Sequence, residues 1–176
     1  WDDADNQDGK RPGSIKVQLY ADGTPVGEEI TLTADDGWTY TWDNLAIYSA
    51  GQKITYTVKE TEVPEGYTSG EPTGNMADGF VITNSYVPET TQVSGTKVWD
   101  DADNQDGKRP ENLKVDLKKG DTVIKEVTLN AGNNWTATVT DLEEKENGQT
   151  IDYTWSEKDL PEGYSLTSTN KEGSIT

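Results

Sequence analysis

Two glutamates end rows of side chains that are otherwise apolar. In ITYTVKE, residues 54–60, alternate side chains of a strand share a face, so Ile54, Tyr56, Val58 and Glu60 point the same way. The row Ile151, Tyr153, Trp155 and Glu157 repeats the pattern. A carboxyl on a buried face is unfavourable unless it is protonated or partnered. Two further rows turn complementary groups inward: Phe80, Ile82, Asn84 and Tyr86 carry Asn84, and Val93, Gly95, Lys97 and Trp99 carry Lys97. Burial favours the neutral forms of amines and carboxylic acids alike. A neutral amine is a nucleophile, and a protonated carboxyl can polarise the carbonyl of an asparagine side chain. Attack would join Lys to Asn through an amide and release one ammonia. The competing reading of Glu60 and Glu157 is a solvated strand end at a sheet rim, because buried acids are rare. For Lys97 it is a side chain snorkelling from an apolar face.

These rows must be held by a fold, and the chain states its organisation by repetition. WDDADNQDGKRP fills residues 1–12 and returns at 99–110, and PEGY fills 64–67 and 161–164. One residue is lost between LYADGTPV and LKKGDTVI, in a hairpin-like turn. A period of this length suits a complete small domain, which predicts two domains, 1–88 and 89–176. Short alternating runs between turn residues predict strands near 15–20, 29–33, 38–42, 53–60 and 80–86. The second copy repeats them near 113–117, 126–129, 134–139 and 150–157. DNLAIYSAG and DLEEKENG have room for one helical turn each, and Val87–Gln92 reads as a polar connector. Strands at this spacing predict an all-β chain of two tandem β-sandwiches.

Only 31% of the 176 residues are hydrophobic, so each domain has little to bury and needs a staple. There is no Cys for a disulfide, and no His for the usual zinc sites or for Ser-His nucleophile pairs. A Lys–Asn amide tying the first strand to the last would serve. The net charge of −18 argues against nucleic acid and against anionic membrane as partners. No run is apolar and long enough for a signal peptide or a membrane span. The chain opens on Trp1 and reads as an excerpt of a longer protein.

Asp3, Asp5 and Asp8, with Asp101, Asp103 and Asp106, have a spacing one residue off the EF-hand loop, with no bidentate Glu at the right distance. The favoured reading is an Asx-rich turn whose acids are satisfied by the neighbouring GKRP, with no cofactor; calcium is the alternative. Trp38, Tyr40 and Trp42 alternate with Thr at strand period, so packing accounts for them more simply than sugar binding.

The combination KVWDDADNQDGKRP, YTVKE…PEGY and ITNSY resembles the B-type repeats of Gram-positive collagen adhesins, the CnaB family, found also in pilin subunits. YTVKE…PEGY is similar to that family's "E-box", and the likeness spans nearly all of both copies. The resemblance implies a sandwich of inverse immunoglobulin-like (prealbumin-like) topology and a self-formed Lys–Asn isopeptide bond assisted by a Glu. Carried over, Glu60 and Glu157 are the assisting acids. Asn84 is expected to pair with a Lys two positions before Trp1, and Lys97 with an Asn after residue 176. Each copy thus lacks one partner: the first strand of domain 1 and the last of domain 2 are truncated. Asn84 and Lys97 belong to different domains and are not expected to join.

The implied function is a stalk or spacer of a cell-wall-anchored adhesin or pilin on the bacterial surface, not an enzyme. Its partners would be other domains of the same surface protein, with host extracellular matrix met through a separate domain. The alternative is a module that binds a host matrix protein directly. Near-duplicate copies favour the stalk, because length is what repetition adds.

Overall fold

The computed structural model describes residues 1–167 and the backbone of Ser174–Ile175; the rest of the closing segment of the second copy lies outside the described residues. The chain forms two compact units, Trp1–Pro88 and Glu89–Thr176.

In the second unit Asn112–Lys119 alternates Leu113, Val115 and Leu117 with Lys114, Asp116 and Lys118. The three apolar residues are buried and the lysine and aspartate positions are more open, as a strand with one face on a core requires. It forms a hairpin with Thr122–Asn130 and pairs along its other edge with Tyr153–Glu157. The turn passes through Gly120, whose φ of +56° is a backbone state that a residue without Cβ adopts freely. A second sheet places Thr90–Lys97 between Thr136–Glu143, antiparallel, and Ser174–Ile175, parallel. The first and last strands of the unit therefore lie side by side in the same direction, the inverse immunoglobulin-like arrangement. Leu113, Val115, Leu117, Leu129, Val139, Leu142 and Trp155 fill the space between the sheets.

Trp155 lies on the backbone of Gly95. A Cβ at that glycine would come within 2.7 Å of the indole ring, and the indole N–H donates to the Ser94 carbonyl at 3.1 Å. Gly95→Ala is therefore expected to destabilise the second unit by about 1–3 kcal/mol through overpacking, read as an earlier urea midpoint for its unfolding. An unchanged midpoint would show that the indole can move aside.

The first unit repeats one sheet: Ser14–Ala21 pairs with Thr24–Thr33 and with Tyr56–Glu60 over Val17, Leu19, Leu32, Tyr56 and Val58. It differs in the other. The expected strand at 38–42 is irregular, whereas its counterpart Thr136–Glu143 is a full strand. In the second unit that strand takes its ladder partner from Thr90–Lys97, which satisfies the backbone groups that a strand must pair.

Where the chain has room for a helical turn, hairpins Tyr48–Ser49/Gln52–Lys53 and Lys145–Glu146/Gln149–Thr150 stand instead. Asn147 and Gly148, both at positive φ, form the two-residue turn of the second hairpin. Lys53–Glu60 and Phe80–Tyr86, expected as single strands, are each interrupted. The connector is shorter than expected, because Thr90 already belongs to a strand.

Candidate functional site

Lys97 is the last residue of Thr90–Lys97, and its amide donates to the Trp135 carbonyl at 2.8 Å. That anchors the backbone where the side chain turns into the sandwich. Glu157 closes Tyr153–Glu157 opposite Val115, so strand pairing delivers it to the same depth. Lys97 Nζ and Glu157 Oε1 are 2.9 Å apart, with side chains only 6% and 3% exposed. The ammonium also lies over the Trp99 ring, 4.7 Å from its centroid, the placement in which a cation meets the negative face of an indole.

The first unit holds the complementary half. Glu60 lies opposite Val17, and Asn84 is 4% exposed in the short strand Asn84–Ser85. Asn84 Nδ2 donates to Glu60 Oε1 at 2.8 Å. Glu60 Oε2 and Asn84 Oδ1 are buried with no hydrogen-bond partner among the described residues. The carboxylate meets the amide nitrogen rather than the carbonyl because a carboxylate only accepts, and NH2 is the donor of the asparagine side chain. The structure thus brings together Glu60 with Asn84, and Glu157 with Lys97. Asn84 and Lys97 sit in separate units.

The arginine of GKRP meets the acidic turn in both copies, as expected, and a tyrosine from PEGY that the sequence did not point to joins it. Asp3, 2% exposed, accepts from Arg11 Nε at 3.0 Å and Nη2 at 2.6 Å, from the Tyr67 hydroxyl at 2.9 Å and from the Asn6 amide at 3.0 Å. Asp101 takes the same bonds from Arg109, Tyr164 and Asn104. The Arg11 hydrogen bonds hold the Asp3 carboxyl down at about 2, and Arg109 holds Asp101 well below the usual range. Burial, helped by Asp3, pushes the Tyr67 hydroxyl well up. The clamp holds a strained turn: Ala4, Asp5 and Asn6 all have positive φ, as do Ala102, Asp103 and Asn104. Asp and Asn tolerate this left-handed backbone, whereas for Ala4 and Ala102 it is unfavourable by roughly 1–2 kcal/mol each. The legible signal was the Asp and Arg eight residues apart within an identical segment. The tyrosine of PEGY, more than 60 residues away, gave none.

The carboxylates of Asp3 and Asp101 thus face guanidinium groups, and among the described residues no three acids converge on one point. Trp38, Trp42 and Leu45 pack against the first core, and Tyr40 meets Trp42 edge to face at 5.0 Å. With Trp1, Phe80 and Asn84 they border a cleft of about 470 Å³.

Comparison with known proteins adds the relatives. The family model "Cna protein B-type domain" matches residues 1–85 and 93–176. A collagen adhesin of Staphylococcus aureus is 44% identical over 89% of this chain, which spans 13% of that protein's length. The crystal structure of two B repeat units of the collagen binding protein of S. aureus superposes with a TM-score of 0.90 at 40% identity, over 99% of this chain and 46% of that one. A single B repeat unit of the same protein is 41% identical.

Proposed function

The chain belongs to the Cna protein B-type domain family, and we propose that it is a pair of stalk repeats of a surface adhesin or pilin, each stapled by a self-formed Lys–Asn amide. The stalk would project an adhesive region from the cell wall, and the chain acts on no outside substrate. The observation that carries this reading is the buried pairing of Glu157 with Lys97 in one unit and of Glu60 with Asn84 in the other. Two buried acceptor oxygens without a donor, Glu60 Oε2 and Asn84 Oδ1, are the complement of an ammonium group.

The chemistry balances with no cofactor. The lysine ammonium passes a proton to the glutamate across a distance such as the 2.9 Å between Lys97 and Glu157. The carboxyl then becomes a donor toward the asparagine carbonyl. Nζ attacks Cγ, the new C–N bond forms, and the glutamate returns its proton to the departing Nδ2. The second proton that Nζ sheds on becoming an amide N–H passes through the glutamate to the leaving group, the Cγ–Nδ2 bond breaks with departure of ammonium, and the glutamate carboxylate is regenerated. A buried, preorganised partner makes such a step effectively unimolecular.

No amide is expected between Asn84 and Lys97, which sit in separate units. A loss of ammonia traced to an Asn84–Lys97 peptide would overturn the assignment. The stalk reading also expects no saturable binding of collagen by this chain; binding would favour a directly adhesive module. Chelator is expected to leave the melting temperature unchanged, since Asp3 and Asp101 are engaged by arginine. A fall of several degrees would restore the calcium reading.

A further inference from the structure

We propose that the Asp–Arg–Tyr clamp of each repeat is a positioning device for the crosslinking lysine, acting through the tryptophan two residues beyond it. This rests on the crosslink reading above. In the second unit one face of Trp99 carries Lys97 Nζ at 4.7 Å. Trp135 meets the ring edge to face at 5.0 Å, and so does Tyr164, also at 5.0 Å. The Arg109 guanidinium lies 5.7 Å from its centroid. Arg109 and Tyr164 are both fixed by Asp101, the first through two hydrogen bonds and the second through its hydroxyl. An indole held by two aromatic neighbours and a cation has little freedom to turn. Its face then limits the arc through which a flexible four-carbon lysine stem can swing, leaving Nζ at Glu157.

The first unit builds the same assembly around Trp1. Trp38 and Tyr67 meet it edge to face at 5.0 and 5.2 Å, and Arg11 lies at 5.4 Å. Asp3 ties Arg11 to Tyr67. A clamp serving only the loop would need neither ring packing at the tryptophan nor a tryptophan two residues from the lysine. Trp99 lies just past the end of Thr90–Lys97, and its ring meets the Lys97 ammonium there. The clamp and the rings on the tryptophan draw on three separated segments, the post-strand loop, PEGY and the turn at Trp135 that precedes Thr136–Glu143. They therefore report to the lysine whether the unit is assembled.

The test reads the lysine itself in the full chain, using N-hydroxysuccinimidyl acetate and peptide mass spectrometry at temperatures well below unfolding. Lys97 is expected to acetylate roughly ten-fold more slowly than Lys16 and Lys114, as protected buried groups do; the side chains of the latter two are 57% and 58% exposed. Tyr164→Phe, which removes one hydroxyl and leaves the ring, should raise the Lys97 rate several-fold with Lys16 unchanged, and Asp101→Asn should raise it further. Trp99→Phe, which keeps a ring face, should retain protection that Trp99→Leu loses. Lys97 rates unchanged in Tyr164→Phe, Asp101→Asn and Trp99→Leu would overturn the proposal. So would a rise shared by every lysine, which would mark a structural role only. The amide need not form for this measurement, so failure of the crosslink reading would show separately, as full mass in a chain given the lysine strand ahead of Trp1.

Discussion

A chain with residues 90–98 (TTQVSGTKV) placed ahead of Trp1 is expected to weigh one ammonia less than its sequence, and the same chain with Glu60→Gln is expected to keep its full mass. The added segment restores, from the repeat's own sequence, the strand that pairs with Thr136–Glu143 in the second unit. It also sets a lysine two positions before Trp1, as Lys97 stands before Trp99. That lysine would reach the buried pair Glu60–Asn84 and its two oxygens lacking a donor. Gln has the shape of Glu but can neither take the lysine proton nor return it.

The two versions separate strand pairing from covalent closure, because both gain the strand and only one gains the amide. Closing a loop of nearly a whole unit contributes roughly 4–5 kcal/mol by chain entropy. For a unit of this size that difference corresponds to at least about 15 °C in Tm. Full mass in both versions would sink the crosslink reading. Loss of ammonia in both would remove Glu60 from it.

Asp3→Asn is the second large effect. Asp3 is buried and accepts four hydrogen bonds, two of them from Arg11. Removing one partner of a buried charge pair is destabilising by about 3–5 kcal/mol. Arg11 retains some solvent, its side chain being 25% exposed, which places the first unit at the lower end. The same residue governs acid stability. Its folded-state pKa of about 2 lies below the unfolded value of 3.8, so its contribution is complete above pH 4 and is lost as pH falls through 2. On the order of 2 kcal/mol is at stake in that window. Urea midpoints of the first unit between pH 5 and pH 2 should fall more steeply in the native chain than in Asp3→Asn. Parallel slopes would show that other carboxylates carry the acid sensitivity.

The identical segments at 1–12 and 99–110 specify two copies of one unit, and period-two rows specify strands with an inward face. Alternation alone is enough to turn Tyr56, Val58 and Trp155 to the core, because it follows from local backbone geometry. The family resemblance rests on motifs that are contiguous in the chain, and it too was legible there. Residues 38–42 show the limit. They alternate as well as their counterparts, yet only the second copy forms a strand, since ladder hydrogen bonds come from a neighbour and not from the run itself.

Tertiary structure alone decided the environment of each polar group. That Tyr67 joins Arg11 on Asp3, that the Lys97 ammonium meets Glu157, and that Gly95 must be small because Trp155 lies on it all depend on separations of 60 to 64 residues. Local pattern sets which way a side chain points. Only the packing of distant segments sets what it meets.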